Sequence, residues 1–399
     1  MKYTTGFIVL ALMGIVIACG GDNGASSVPA SDEHGLEPVV NPTPMSVPVL
    51  REQLSVQTLA GGLDTPWDLS LDPSGNLWVT ERYGAVSRVD TATGMVTRVG
   101  IIPDVIEQSE SGLMGMAFHP DFPAQPYVYF VHSYDRSGND IRNRLIRMRF
   151  DGAELTGREI LLQDIPGNLN HNGSRLVIGP DRLIYMTTGD AQGPNFAIDL
   201  PSLAGKVLRL TLDGRVPADN PFRTEVYSFG HRNAQGLVFH PVTGALYATE
   251  HGPNTNDEVN QIVVGRHYGW PEVHGYCTDE DVPGVPEAQY CNENNVMEPV
   301  AAWTPTIAPA GADFYMSDAI PTWKGDLFFT TLKGQSLHRL TLSVDGRRAA
   351  SDEVLFQGEF GRLRDVAVGP RGEIYLATSN RDGRGDIAGE DRIIRIQAQ

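Results

Sequence analysis

Cysteine is nearly absent: three occur in 399 residues, at positions 19, 277 and 291. None belongs to a CxxC pair and no HxxxH accompanies them, which argues against a zinc site. Positive charge is short as well. Thirty-one Lys and Arg face 49 Asp and Glu, a formal net charge of −18, and no Lys/Arg stripe offsets it. Phosphates would be repelled, so nucleic acid is excluded as a partner, and the acidic surface means no more than solubility. Long helix-period runs are few, while 43 Gly and 27 Pro punctuate the chain. That balance favours one large all-β domain over two ordinary ones.

The first long apolar run, "GFIVLALMGIVIAC", is short for a membrane span and has the shape of a signal-peptide core. Its "VIAC" end resembles a bacterial lipoprotein cleavage box, which implies removal of residues 1–18 and a lipid on Cys19. Residues 19–50 are rich in Gly, Ser, Pro and Asp and read as a disordered tether, since they carry too little apolar surface to fold. The expectation is an exported domain over 51–399, held to a membrane only through the Cys19 lipid. Gly20 stands where an Asp commonly retains lipoproteins at the inner membrane, so the outer membrane, facing the periplasm, is the expected site. In that compartment Cys277 and Cys291, closing a short polar loop, are expected to form a disulfide.

Self-similarity carries the fold. One unit, an apolar strand, a turn with Pro, Asp or Gly and a second apolar strand with an aromatic residue, recurs six times. It reads "WDLSLDPSGNLWVTE", "LMGMAFHPDFPAQPYVYFVH", "RLVIGPDRLIYMTTGD", "GLVFHPVTGALYATEHG", "AIPTWKGDLFFTTLKG" and "DVAVGPRGEIYLATSN", with aromatics at Trp78, Tyr129, Tyr185, Tyr247, Phe328 and Tyr375. A sheet that cannot bury both faces alone is satisfied by radial packing, which predicts a six-bladed β-propeller of four-stranded antiparallel blades. Pairing of "SVQTLA" with the last blade, ending "RIIRIQ", closes the ring. The cysteine loop, in the longest gap between copies, reads as an insertion on one face.

Polar residues recur just outside the strand ends: Glu110, His171, Arg232, Asn233, Lys333, Arg362 and Arg364. Convergence at one end of the channel would join a histidine to four cations inside an acidic protein. Such a collar suits a small polyanionic ligand, because Arg forks bind carboxylates bidentately.

The motifs "GLMGMAFHPDF", "NHNGSRL", "LAGKVLRLTLDGRVPADNPF", "SFGHRNAQGL", "EHGPNTNDEVNQI", "HYGWPEV", "LKG" and "RLRDVAVGPRGEIY" together resemble the PQQ-dependent glucose/sorbosone dehydrogenase family, nearest its aldose sugar dehydrogenase branch. The resemblance spans residues 55–398. It implies PQQ and Ca²⁺ as cofactors, an aldose as substrate, C1 oxidation to a lactone and an electron acceptor that the sequence does not identify. His171 matches the catalytic base. Arg232 and Asn233 match the pair that holds the cofactor, and Lys333, Arg362 and Arg364 the cations around its carboxylates. Gly252 and Pro253 match carbonyl ligands of a cofactor-bound calcium; Glu258 and the Tyr268 carbonyl, with Tyr276 beside them, match a second, structural calcium.

Glu110 departs from the pattern, standing where glucose-active members have glutamine. A carboxylate there adds negative charge beside an anionic cofactor. The substrate-stacking aromatics are unmatched, with Trp303 an approximate candidate. His119 and His240 read as parts of repeated turns, and His231 and His251 as supports for the cofactor motifs. Two other readings stand against the dehydrogenase: a non-catalytic propeller that binds a protein or glycan, and a calcium-dependent lactonase. The cationic collar argues against both, since neither needs it.

Overall fold

The computed structural model describes residues 53–384 and 390–399. The expected leader (1–18), Cys19 and the tether (19–50) lie outside the described residues. Within them, twenty-four strands form six four-stranded antiparallel sheets, the propeller expected from the six repeats. Five blades use consecutive strands. The sixth is composite: Leu54–Leu63 pairs with Asp391–Ala398, setting Val56 opposite Ile396 and Ser55 opposite Gln397. This is the closure that "SVQTLA" and "RIIRIQ" foretold, and it ties the two ends of the domain together within one sheet, with Leu54–Leu63 as its outer strand.

The second strand of each blade explains the apolar runs. Leu77–Glu81, Ile184–Thr188, Leu246–Glu250, Leu327–Thr331 and Ile374–Thr378 are buried along their whole length. Each is covered on both faces by neighbouring blades, so the sequence shows a continuous apolar stretch rather than alternation. The repeated aromatic fills the seam with the next blade. Trp78 of the first blade meets Phe118 and Phe150 of the second edge-on, at 5.3 and 4.9 Å between ring centres. Tyr129, Tyr185, Tyr247 and Phe328 join the apolar clusters of the third, fourth, fifth and sixth blades, and Tyr375 closes the circle against Leu69 and Leu77 of the first. Six repeats thus make six seams.

Cys277 and Cys291 are bonded. Their loop lies within the fourth blade, between Asp257–Ile262 and Ala301–Trp303, and carries the one α-helix among the described residues, Glu287–Asn294. The segment before it lies along the end of the third blade, where Tyr268 N–H donates to Phe229 O and Trp270 N–H to Gly230 O.

Candidate active site

Antiparallel blades dictate where side chains can meet. The chain enters each innermost strand at the end where the second strand leaves, so two sets of loops share one end of the channel. Glu110, His171, Arg232 and Asn233 precede the innermost strands Leu113–Phe118, Gly173–Ile178 and Ala234–Phe239, while Arg362 and Arg364 flank the first residue of Leu363–Val368. His251, Gly252, Pro253 and Lys333 follow second strands at that same end. There a cavity of about 220 Å³ is lined by Glu110, Lys333, Arg362 and Arg364, together with Arg82, Gln235, His251, Asp382 and Arg384.

Its walls are cationic. Arg362 pairs with Asp382 at 2.8 Å. Lys333 donates to the Thr306 hydroxyl at 2.6 Å and has no carboxylate partner among the described residues. Arg364 is 3% exposed and donates through Nη1 to Gln235 Oε1 at 2.6 Å. Its Nε has no partner. Burial pushes the Arg364 pKa down to about 9; Asp382 resists, and Arg362 and Arg82 add their repulsion. Five cations thus face two carboxylates, Glu110 and Asp382, around the cavity.

His171 stands beside this wall in the left-handed region, φ +60°, a conformation that non-glycine residues hold only where surroundings enforce it. Three contacts enforce it here. Its N–H donates to Glu110 Oε2 at 3.1 Å, its carbonyl accepts from Ala191 N–H at 3.1 Å, and its Nδ1 lies 2.8 Å from Asp190 Oδ1. Gly189 makes room for them: a Cβ there would come within 2.0 Å of His171 O. Asp190 is fully buried and also accepts from Gln192 N–H and, at 2.9 Å, from Trp270 Nε1. With Nδ1 donating to this carboxylate, the neutral ring keeps Nε2 as an acceptor, bonded to no described protein group. Lys206, buried in the same third blade, ties down the loop after Asp190 by donating to Phe196, Ala197 and Ala204 carbonyls at 2.6–2.9 Å. Those acceptors engage all three protons of its ammonium, although burial draws its pKa to about 7.

The fourth blade supplies the supports. Arg232 donates through Nη1 to His251 O at 3.1 Å and lies 5.3 Å over the Trp270 ring. Its own N–H is held by Glu250, which also bonds His231. Asn233 is spent on the His171 loop: Oδ1 accepts from Gly173 N–H and Nδ2 reaches Glu110 at 3.4 Å. Gly252 N–H donates to Asp257 Oδ1 at 2.8 Å, and a Cβ on Gly252 would meet Thr255 O at 2.0 Å, so only glycine fits this turn. Asp257 gathers the Ile307 and Ala308 N–H groups too, and burial lifts its pKa to about 6. Glu258 faces Glu250 directly across the strand pair, and burial with that neighbour raises it to about 8. Tyr276 is buried within the electrostatic reach of Glu258. Tyr268 is fixed by its hydroxyl, which donates to Gln261 O. Among the described residues no cluster of three or more His, Cys, Asp or Glu is arranged to hold a metal.

Trp303, the approximate candidate for stacking on substrate, is spent elsewhere. Its indole donates to Asp352 and packs on Phe329 in the seam of the fourth and fifth blades. Sequence reasoning missed Arg82, Asp190, Trp270, Asp382 and Arg384. Four of these follow second strands, as His251 and Lys333 do, and that shared position was the available signal. Trp270 sits in the "HYGWPEV" motif, but nothing local to that motif tells that it reaches Asp190 from the long insertion.

Comparison with known proteins identifies relatives of the whole propeller. A family model described as Glucose / Sorbosone dehydrogenase matches residues 63–394. Aldose sugar dehydrogenase YliI of Escherichia coli is 31% identical over 343 residues, covering 83% of this chain and 91% of that protein. Quinoprotein glucose dehydrogenase B of Acinetobacter calcoaceticus is 31% identical over 425 residues, covering 85% and 88%. The solved PQQ-bound aldose sugar dehydrogenase of Streptomyces coelicolor matches with a TM-score of 0.74 at 36% identity, covering 87% of this chain and 98% of that one.

Proposed function

Because the chain belongs to the glucose/sorbosone dehydrogenase family, we propose that it oxidises aldose sugars at C1 to aldonolactones with PQQ and a calcium ion. The observation that carries this reading is the cationic wall, in which Lys333 and buried Arg364 have no carboxylate partner among the described residues, standing beside the His171–Asp190 pair. The residues fit a polycarboxylate: of the five cavity cations Arg82 pairs with Glu107, Arg362 with Asp382 and Arg384 with Glu110, which leaves Lys333 and Arg364 without a carboxylate among the described residues, and the Arg364 Nε proton is without an acceptor.

Lys333, Arg362 and Arg364 would hold the carboxylates, Arg232 would orient the ring system, and the Gly252 and Pro253 carbonyls would take the calcium ion. When bound, PQQ supplies the two-electron acceptor for the C1 hydride, with the metal as Lewis acid. His171 does the proton work. Its free Nε2 accepts the proton of the C1 hydroxyl, and Asp190 holds the ring in the tautomer that leaves Nε2 open and steadies the imidazolium that forms. Trp270, bonded to the other Asp190 oxygen, keeps that carboxylate facing the histidine.

The test is dye reduction by the full chain with a panel of aldoses, with and without PQQ and Ca²⁺. His171→Ala should lower kcat by about 10²–10⁴-fold while PQQ affinity stays within a few-fold, as expected for loss of a general base. Unchanged turnover in the variant would remove His171 from the chemistry. If the wild type binds no PQQ, the cavity is not a cofactor site and the reading as a non-catalytic binding propeller takes its place.

A further inference from the structure

Glu110 poses a problem for an anion site, since its carboxylate stands in the cavity wall. Two loops meet there. Glu110 N–H donates to Leu169 O, and Ser109 Oγ donates to Asn170 Oδ1 at 2.7 Å, so the loop before the second blade is stitched to the loop that presents His171. Arg384 reaches this junction from the sixth blade, 274 positions away along the chain. It donates through Nη1 to Glu110 Oε1 and through Nη2 to Asn170 Oδ1, both at 2.9 Å. Among the described residues Arg384 forms the only ion pair that Glu110 has, and it lines the cavity itself.

We infer that Arg384 is a positioning residue for the cofactor: it neutralises Glu110, so that a carboxylate can stand beside an anion, and it clamps the His171 loop from across the channel mouth. The inference rests on the PQQ reading above. The electrostatics of Glu110 agree. Burial works against its ionisation, yet His251, the His171 N–H and Arg384 outweigh burial and hold the carboxyl below its ordinary value. Of these, the His171 N–H and Arg384 bond the carboxylate directly, at 3.1 and 2.9 Å.

The experiment is a double-mutant cycle with Arg384→Gln, Glu110→Gln and the double variant. It reads the PQQ dissociation constant from quenching of intrinsic tryptophan fluorescence, with Ca²⁺ present. Thermal midpoints are recorded alongside to confirm folding. Arg384→Gln should weaken PQQ at least about ten-fold, because an uncompensated carboxylate then faces the ligand. Glu110→Gln alone should change affinity far less. The double variant should return to within about three-fold of wild type, a non-additivity that only coupled residues produce. Two results would overturn the inference while leaving the cofactor reading intact: wild-type affinity in Arg384→Gln, or a double variant as weak as Arg384→Gln. Absence of PQQ binding by the wild type would overturn both.

Discussion

Arg175 and Arg364 stand on innermost strands of the third and sixth blades, each nearly inaccessible, on the same indole. Their guanidinium carbons lie 4.3 and 5.8 Å from the Trp67 ring centre, and Gln235 serves both, its carbonyl to Arg175 and its side chain to Arg364. Their company differs. Arg175 Nη1 donates to Asp68 and Asp365 at 2.8 and 2.9 Å, and although burial alone would lower its proton affinity, those carboxylates raise it. Arg364 has no carboxylate within ion-pair distance among the described residues and is pushed down to about 9. Below Arg175 the channel opens into a cavity of about 300 Å³ walled largely by residues such as Leu71, Phe118, Ile178 and Val238. A buried cation among carboxylates is a structural pin. Arg364, with cations around it, has no such partner among the described residues.

The largest expected effect separates these roles by stability. Arg175→Met strands Asp68 and Asp365 without their partner and should cost about 3–5 kcal/mol in denaturant unfolding, the usual penalty for breaking a buried ion pair from one side. A loss near zero would make the two ends alike. Arg364→Met is the counterpart. It relieves repulsion and should leave unfolding within about 1 kcal/mol of wild type, while PQQ binding weakens by about 1.5–3 kcal/mol, the worth of charge-assisted hydrogen bonds. If stability falls and affinity holds, the roles of the two arginines have been reversed.

A smaller effect sharpens the picture of the site end, where His132 is fully buried, accepts from Arg144 Nε at 2.9 Å and is driven to about 4, chiefly by burial. Unfolded, it takes up a proton near pH 6.5, so between those values the unfolded chain binds more protons there than the folded one. Its stabilising contribution is whole above pH 6.5 and shrinks on acidification, by at most about 1.4 kcal/mol per pH unit. The stability gap between wild type and His132→Gln should therefore narrow from pH 7 to 5. Titrating carboxylates such as Asp313, raised to about 6 by burial, are common to both proteins and cancel in the difference. A constant gap would show that His132 takes up its proton over the same pH range folded as unfolded.

Much of the fold was legible because strand signals are local. The blade count, the closure and the seam aromatics all follow from periodicity and turn residues within a few positions of one another. The Cys277–Cys291 bond was legible from the scarcity of cysteine and the short loop between them. The collar was legible in part: Lys333, Arg362 and Arg364 do share a wall, since blade topology sends those loops to one end. Asn233 shows the limit, for its side chain is engaged by Gly173 and Glu110 within the protein.

By itself, then, the sequence determined a closed ring of six blades and the end of the channel where the polar residues gather, because those follow from patterns repeated along the chain. Tertiary structure alone decided which charges are answered. Asp190 meets Trp270, Glu110 meets Arg384, and Arg175 meets both Asp68 and Asp365 across separations of 80 to 274 residues. No local pattern encodes those distances. They are set when the blades close and bring loops of different repeats within hydrogen-bonding reach of one another.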